Sequence, residues 1–494
     1  MLRKIRIFFA SLFFLGLTLL FLDFTGVLHQ WLGWMAKVQL VPAILAVNVV
    51  AIVVLLLMTL LLGRVYCSVI CPLGVLQDIV SNLSGRRKGK KFRFSYLKEN
   101  KWLRVAFLVL FMALIIAGFT RVAALIEPYS AYGRIVNNLL SPIYLWGNNL
   151  LAYFAERADS YAFYSMDVWV RSSVALSVSV ITFVLIALLA WRGGRTWCNN
   201  ICPVGTLLGY ISRFSLLRIV VDTSKCNGCK ICERSCKSSC IDAGAHSVDY
   251  GRCVACMNCI DKCKRGALTY KLTWMGGGKT ASEKETDATR RSFLAVSGAF
   301  VASSVMAQAD KKVDGGLAVL EDKRVPKRTV PVVPVGAGGL KSFAQHCTSC
   351  QLCVSKCPNE VLRPSQSIER LMQPEMSFER GYCRPACNIC SQVCPNGAIK
   401  PIEKEMKSAI KIGTAVWIAD NCISYRDGVH CGNCARHCPN GAIKMIKCED
   451  KPGAAKIPMV DAERCLGCGA CEYVCPSRPF SAIFVDGLEV HRTI

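Results

Sequence analysis

Twenty-four of the chain's 30 cysteines fall into six closely spaced groups. Cys226, Cys229, Cys232 and Cys236 form the first, and Cys253, Cys256, Cys259 and Cys263 repeat its spacing. Four more follow: Cys347, Cys350, Cys353 and Cys357; Cys383, Cys387, Cys390 and Cys394; Cys422, Cys431, Cys434 and Cys438; and Cys465, Cys468, Cys471 and Cys475. Three thiolates two residues apart, with a fourth three residues on, form a cage for iron held as a [4Fe–4S] cluster. Six such clusters, one-electron carriers, are the chemistry expected. In the first two groups the fourth cysteine should serve the other cluster. One cluster then rests on Cys226, Cys229, Cys232 and Cys263, the other on Cys253, Cys256, Cys259 and Cys236. Cys240 is spare and competes with Cys236 as a ligand. The last four groups all end in Cys-Pro, but the second has one extra residue and the third a long first gap. Either neighbouring groups pair, or the first pairs with the fourth and the second with the third. Cys448 reads as a plain thiol, and His430 and His437 as hydrogen-bonding or surface residues.

A second pattern is Cys-x3-Cys-Pro, at Cys67/Cys71 and again at Cys198/Cys202. The copies also match at Arg64 and Arg195, at an aromatic residue, and at Gly74 and Gly205. Such a repeat gives either structural cysteines in a tight turn or a redox or metal site assembled from both copies, since four thiolates suffice. Both readings stay open. Haem is not expected, because the apolar segments carry no histidine and Cys-x-x-Cys-His is absent. No nucleophile or catalytic constellation stands out, so no catalytic residue is assigned.

The elements that position these cysteines are of two kinds. Apolar residues make up 52% of the 494 positions, which points to a membrane part. Apolar segments near 5–24, 40–62, 103–120 and 172–191 approach the ~20 residues that span a bilayer. Lys and Arg cluster before the first, between the second and third, and after the fourth, which places those ends in the cytoplasm. The fold class expected is multi-domain: a four-span α-helical membrane bundle plus α+β ferredoxin-like modules. The boundaries are 1–217 for the bundle, 218–275 for a cytoplasmic two-cluster module, 276–288 for a linker, 310–339 for a tether and 340–494 for a four-cluster module. Residues 289–309 carry Arg290-Arg291, a mildly apolar run and Ala307-Gln308-Ala309, the layout of a twin-arginine export signal. Cut or kept as a fifth anchor, it would place the last module in the periplasm of a bacterial inner membrane. The formal charge of +26 falls to about +14 once six clusters of roughly −2 each are counted. Nucleic acid is therefore not an expected partner, whereas the lipid bilayer is. Arg121, Glu127 and Tyr129, with Asp23 and His29, lie near the outer ends of spans and could meet a quinol head.

Residues 1–275 resemble the NapH family, with its four spans, two Cys-x3-Cys-Pro motifs and ferredoxin end. Residues 286–494 are similar to the NapG/MauM family, most specifically in the long Cys422–Cys431 gap and the final group at Cys465–Cys475. The resemblance implies a fusion of two normally separate subunits that oxidises membrane quinol and passes electrons to a periplasmic redox protein or reductase, of the nitrate-reductase type. The alternative is an electron-supplying factor for assembly of a periplasmic metalloenzyme.

Overall fold

The computed structural model describes residues 2–87, 94–160, 162–273, 313–314, 318–319, 321–448 and 455–494. The linker and the twin-arginine segment at 289–309 lie outside these residues. Helix α1 (Leu2–Leu22) and helix α11 (Ser173–Gly193) are each 21 residues long and apolar enough to cross a membrane. The segment expected as one span over 40–62 is broken. Val47 takes a left-handed φ of 53°, and the Asn48 side chain caps the next helix by accepting from the Ala51 N–H. The result is a short α3 (Leu40–Leu45) followed by α4 (Val49–Leu62), with α2 (Val27–Lys37) before them. The third expected span is α7 (Lys101–Ile116), stopped at Gly118 with φ 79°. At 1.5 Å per residue α4 and α7 reach only about 21 and 24 Å. Side chains such as Phe8, Leu15, Val50, Val54, Val109, Ile181 and Leu188 stand exposed around these helices.

The helices between them pack inward. After α4 come α5 (Val65–Val69) and α6 (Pro72–Arg87), and their repeat after α11 is α12 (Thr196–Asn200) and α13 (Pro203–Ser212). Between α7 and α11 lie α8 (Thr120–Ile126), α9 (Pro128–Ile135), a π-helical turn Val136–Leu140 and α10 (Ser141–Arg157).

The first module is a small α+β unit. Strand Leu217–Val221 pairs antiparallel with Leu268–Leu272, as their β-like runs suggest, and Ile241–Asp242 pairs with Ser247–Val248. The second module is organised around the long antiparallel pair Ile410–Trp417 and Ile483–Thr493. It also takes in residues expected as tether: Val332, Val333, Val335 and Ala337 are buried, and Arg328 pairs with Glu472 at 2.7 Å. The run 331–335 is continuously buried, its prolines included, so the module begins well before residue 340.

The two modules sit at opposite ends of α1. Arg3, at its start, pairs with Asp261 of the first module, and Asp23, just past its end, pairs with Lys356 of the second. Twenty-one residues of helix separate them by about 30 Å.

His491 lies on the long strand of the second module. Burial holds its pKa down at about 4, and neither ring nitrogen finds a partner among the described residues. The unfolded chain titrates near 6.5, so between these values the native state binds fewer protons. The stabilising contribution is therefore complete above pH 6.5 and lost as pH falls toward 4. Thermal melts at pH 7.5, 5.5 and 4.5 should show a steeper acid loss for the native protein than for His491→Gln; parallel losses would refute this.

Candidate functional site

Each cysteine group is a loop folded around a centre. In four groups the residues flanking the second cysteine are both left-handed: Gly228 and Lys230, Ala255 and Met257, Ser349 and Gln351, Gly467 and Gly469, with φ from 47° to 81°. Paired turns of this kind aim backbone N–H groups at an enclosed anion. Non-glycine residues adopt them at a cost of roughly 1–2 kcal/mol each. The groups at Cys383 and Cys422, whose first gaps are longer, lack the pair.

The loops bring the cysteines together in fours. In the first module a cavity of about 200 Å³ is lined by Cys226, Cys229, Cys232 and Cys263. Cys253, Cys256 and Cys259 gather with Cys236. In the second module Cys347, Cys350 and Cys353 meet Cys394, and Cys383, Cys387 and Cys390 meet Cys357. Cys422, Cys431 and Cys434 meet Cys475, and Cys465, Cys468 and Cys471 meet Cys438. Neighbouring groups therefore exchange their fourth cysteines, the first of the two arrangements left open by spacing. The quartets form a line: Cys353 lies near Cys390, Cys383 beside Cys468, and Cys471 near Cys434.

The surroundings fit an anionic cluster. Backbone N–H groups of Ala415, Ala442 and Ala482 reach the sulfurs of Cys465, Cys438 and Cys475 at 3.2–3.4 Å, and Lys407 Nζ reaches Cys383 Sγ at 3.1 Å. Hydrogen bonds to sulfur are the protein's lever on cluster potential. Cys240 lies 3.4 Å from Cys236. Its thiol hydrogen bond brings Cys236 down to about 7 and also lowers Cys253. Cys240 therefore lies against the second quartet, and either sulfur of the Cys236–Cys240 pair can donate. Cys448 is buried, and exposed His437 bonds the Asn433 carbonyl at 2.9 Å. Among the described residues no set of His, Cys, Asp or Glu side chains is suited to a single metal ion.

The Cys-x3-Cys-Pro copies converge in the bundle. Cys67, Cys71, Cys198 and Cys202 are all buried and close enough to act on one another's charge. Arg64 and Arg195 cross between the copies. Arg64 Nη2 donates to the Cys198 carbonyl at 3.4 Å and lies 3.8 Å from Cys67 Sγ. Arg195 Nη1 donates to the Cys67 carbonyl at 2.7 Å and lies 3.9 Å from Cys198 Sγ. Gly74 and Gly205 make the crossing possible, since a Cβ on either would strike that carbonyl and the guanidinium. Asp78 neutralises Arg195 at 2.7 Å. Arg64, fully buried, has no carboxylate partner among the described residues. An uncompensated buried cation is costly, and negative charge on the four sulfurs would remove that cost. Arg64 also donates to the Gly251 carbonyl at 3.0 Å, which ties this site to the loop of Cys253.

At the other end of the bundle the second module docks through its first cysteine group. Gly133 of α9 packs so tightly that a Cβ would come within 2.6 Å of the Cys350 carbonyl. Ser130 Oγ meets Thr348 Oγ1 at 2.8 Å, and Asn138 donates to Gln351 Oε1 at 2.9 Å. Fully buried Arg134 leaves Nε and Nη1 unpartnered among the described residues beside this group. The residues expected near a quinol head have other tasks. Asp23 pairs with Lys356 and accepts from the N–H groups of Thr25, Gly26 and Leu28. Glu127 caps α9 through the N–H groups of Tyr129 and Ser130. The His29 ring covers Gly33, and Arg121 lies 5.2 Å from the Phe119 ring. Tyr129 leaves its buried hydroxyl, and His29 its Nδ1, unpartnered among the described residues.

Thiol quartets strung along ferredoxin-type loops define an iron–sulfur electron-transfer protein. A 4Fe-4S binding domain model matches residues 44–91 and 175–220, the stretches holding the four bundle thiols, and a 4Fe-4S dicluster domain model matches residues 429–478. The methylamine utilization ferredoxin-type protein MauM of Methylobacillus flagellatus is 33% identical over 166 residues, 32% of this chain and 70% of the relative. The chain belongs to the ferredoxin-type proteins typified by MauM and NapH. NapH of Escherichia coli is 23% identical over 238 residues, 47% of this chain and 69% of the relative. An uncharacterized protein of Methanocaldococcus jannaschii is 34% identical over 102 residues, 20% of this chain; the chain spans only 41% of that relative's length. No solved structure matches.

Proposed function

We propose that the chain is a membrane-bound quinol dehydrogenase component that delivers electrons to a redox protein or reductase outside the cytoplasmic membrane. In this reading the six quartets hold six [4Fe–4S] clusters, two in a cytoplasmic module and four in a periplasmic one. The buried thiols Cys67, Cys71, Cys198 and Cys202 form a further redox centre in the bundle. Such clusters, when bound, supply one-electron transfer. The protein's part is to hold them in line, to neutralise them with Arg64, Arg134 and Lys407, and to keep the thiols of the second quartet and the bundle out of solvent. The observation that carries the reading is the docking of the two modules at opposite ends of α1, with Cys350 seated directly on α9. One module on each side of a bilayer follows from that placement if α1 and α11 cross it, together with α3–α4 and α7. An acceptor of the periplasmic nitrate-reductase type is what the motif resemblance to the NapH and NapG/MauM families implies.

Two measurements test this. A reporter fused after Ile494 should be periplasmic, and replacing Arg290 and Arg291 by lysine should trap it in the cytoplasm. Purified membranes given a reduced naphthoquinol should develop the EPR signal of reduced clusters. If only soluble cytoplasmic reductants produce the signal, quinol oxidation is wrong.

A further inference from the structure

We infer that the face of the first module around Cys229 is a docking surface for an acidic one-electron carrier protein, such as a flavodoxin or a ferredoxin. This gives the chain an electron entry separate from quinol. The inference rests on the cluster-holding, cytoplasmic first module proposed above, and not on quinol oxidation.

Exposure singles out this quartet. Of the 30 cysteines, Cys229 alone is exposed. Its partners Cys226, Cys232 and Cys263 are half-buried, whereas Cys236, Cys256 and Cys259 of the second quartet are buried. Electron transfer between proteins falls steeply with distance, so the quartet nearest to solvent is the one a soluble carrier can serve.

Charge selects the carrier. The cavity over this quartet is lined by Lys225, Lys230, Lys262, Lys264 and Arg265, all exposed, and by no acidic side chain among the described residues. Nearby, Asp222 lies 3.7 Å from Lys225, and Asp261 is engaged by Arg3. A bound cluster of roughly −2, with Asp222, still leaves the five cations in excess. A cationic rim around a redox centre steers a negatively charged partner toward it, an effect that salt screens. Among the described residues, the recesses at the Cys422 and Cys465 quartets have no lysine or arginine in their walls.

The module is also built with two unlike sides. Lysine follows the fourth cysteine of each of its groups, at Lys237 and Lys264, where the groups of the second module have proline. Lys237 is buried, and its Nζ pairs with Asp78 of α6. Lys264 is exposed on the cavity wall. One lysine anchors the module to the bundle, and its counterpart is left for a partner.

A short connected route leads inward from this surface. The helix Ile231–Ser235 carries Cys232 of the first quartet and runs directly into Cys236 of the second. Just beyond, the Lys237 carbonyl accepts from the Arg195 backbone N–H at 2.8 Å, and the Ser238 carbonyl accepts from Asn199 Nδ2 at 3.2 Å. Arg195 and Asn199 stand on either side of Cys198, so the second quartet is hydrogen-bonded onto the turn of a bundle thiol. The step at the surface is a single electron. The reduced carrier is oxidised by one, the oxidised first cluster is reduced by one, and no bond is made or broken.

The test uses the full-length protein in detergent and a flavodoxin of net negative charge. Binding should saturate and weaken steeply with salt, and carbodiimide cross-links to flavodoxin carboxylates should map to Lys225, Lys230, Lys262 and Lys264. Combining Lys225→Glu, Lys262→Glu and Lys264→Glu should weaken binding at least about tenfold, with iron content at the native level. Combining Lys327→Glu, Lys341→Glu and Lys404→Glu, at exposed positions of the second module, should leave the affinity unchanged. Equal weakening by both sets would reveal unspecific attraction to a basic protein and overturn the surface. A first set that alters only attachment to anionic lipid vesicles would overturn it too. If the first set loses iron, the cross-link map of the native protein decides, and links elsewhere refute the surface. Cluster reduction by flavodoxin hydroquinone but not by naphthoquinol would sink the quinol reading and leave this one standing.

Discussion

Replacing Lys356 by methionine is expected to loosen the second module from the bundle by about 3–5 kcal/mol, because it strands the buried Asp23 carboxylate. The pair is 2.7 Å apart, with side chains 0% and 3% exposed, so water cannot take over for either partner. Lys356→Met combined with Asp23→Asn should recover most of the loss. Asparagine keeps an oxygen to accept from the Thr25 and Gly26 N–H groups while discarding the charge. Hydrogen exchange at residues 23–28 and 352–356 reads the docking directly. A single-variant cost below about 1 kcal/mol, as for exposed ion pairs, would show that solvent reaches the pair.

The second large effect concerns which sulfurs act together. With fourth cysteines exchanged, Cys422→Ser and Cys475→Ser damage the same quartet. The double variant should lose one cluster, about four irons by the [4Fe–4S] count. Cys465→Ser with Cys475→Ser strikes two quartets and should lose two clusters, about eight irons. Iron analysis with quantified EPR separates the cases. The reverse pattern would mean that each group keeps its own fourth cysteine.

Much of this architecture could be read from residue spacing, because cluster ligation imposes intervals that little else demands. Short β-like runs at Leu217–Val221 and Ala267–Leu272, beside the cysteine loops, were legible as strands. The pairing among the last four groups was not, since all end alike and only the tertiary fold distinguishes neighbours. Hydropathy averaged over a span could not see the break at Val47 and Asn48, because one polar cap and one left-handed residue barely alter the mean of so apolar a run. It also favoured Asp23 and Glu127 as ligand groups. Both are charged residues near span ends, and the sequence alone cannot tell a cap or an ion pair from a binding site. Gln351 was overlooked altogether. It is an interior residue of a Cys-x2-Cys loop, where identity is usually free, and only its contact with the π-helical turn gives it meaning. Arg64 and Arg195 were seen as matching positions, but the crossing that gives them a role exists only in three dimensions.

That crossing makes the two halves of the repeat interdependent. Each copy's cysteine turn is completed by a guanidinium borrowed from the other, so neither half is a finished unit, and cutting the chain between them would leave two incomplete pieces. The duplication has become an internal dimer whose interface holds the four bundle thiols. A change in the size of residue 74 is felt first by Arg195, and one at residue 205 by Arg64. The copies can therefore drift only in step, which gives a physical reason for Arg, Gly and Cys-x3-Cys-Pro to persist in both while the residues between them diverge.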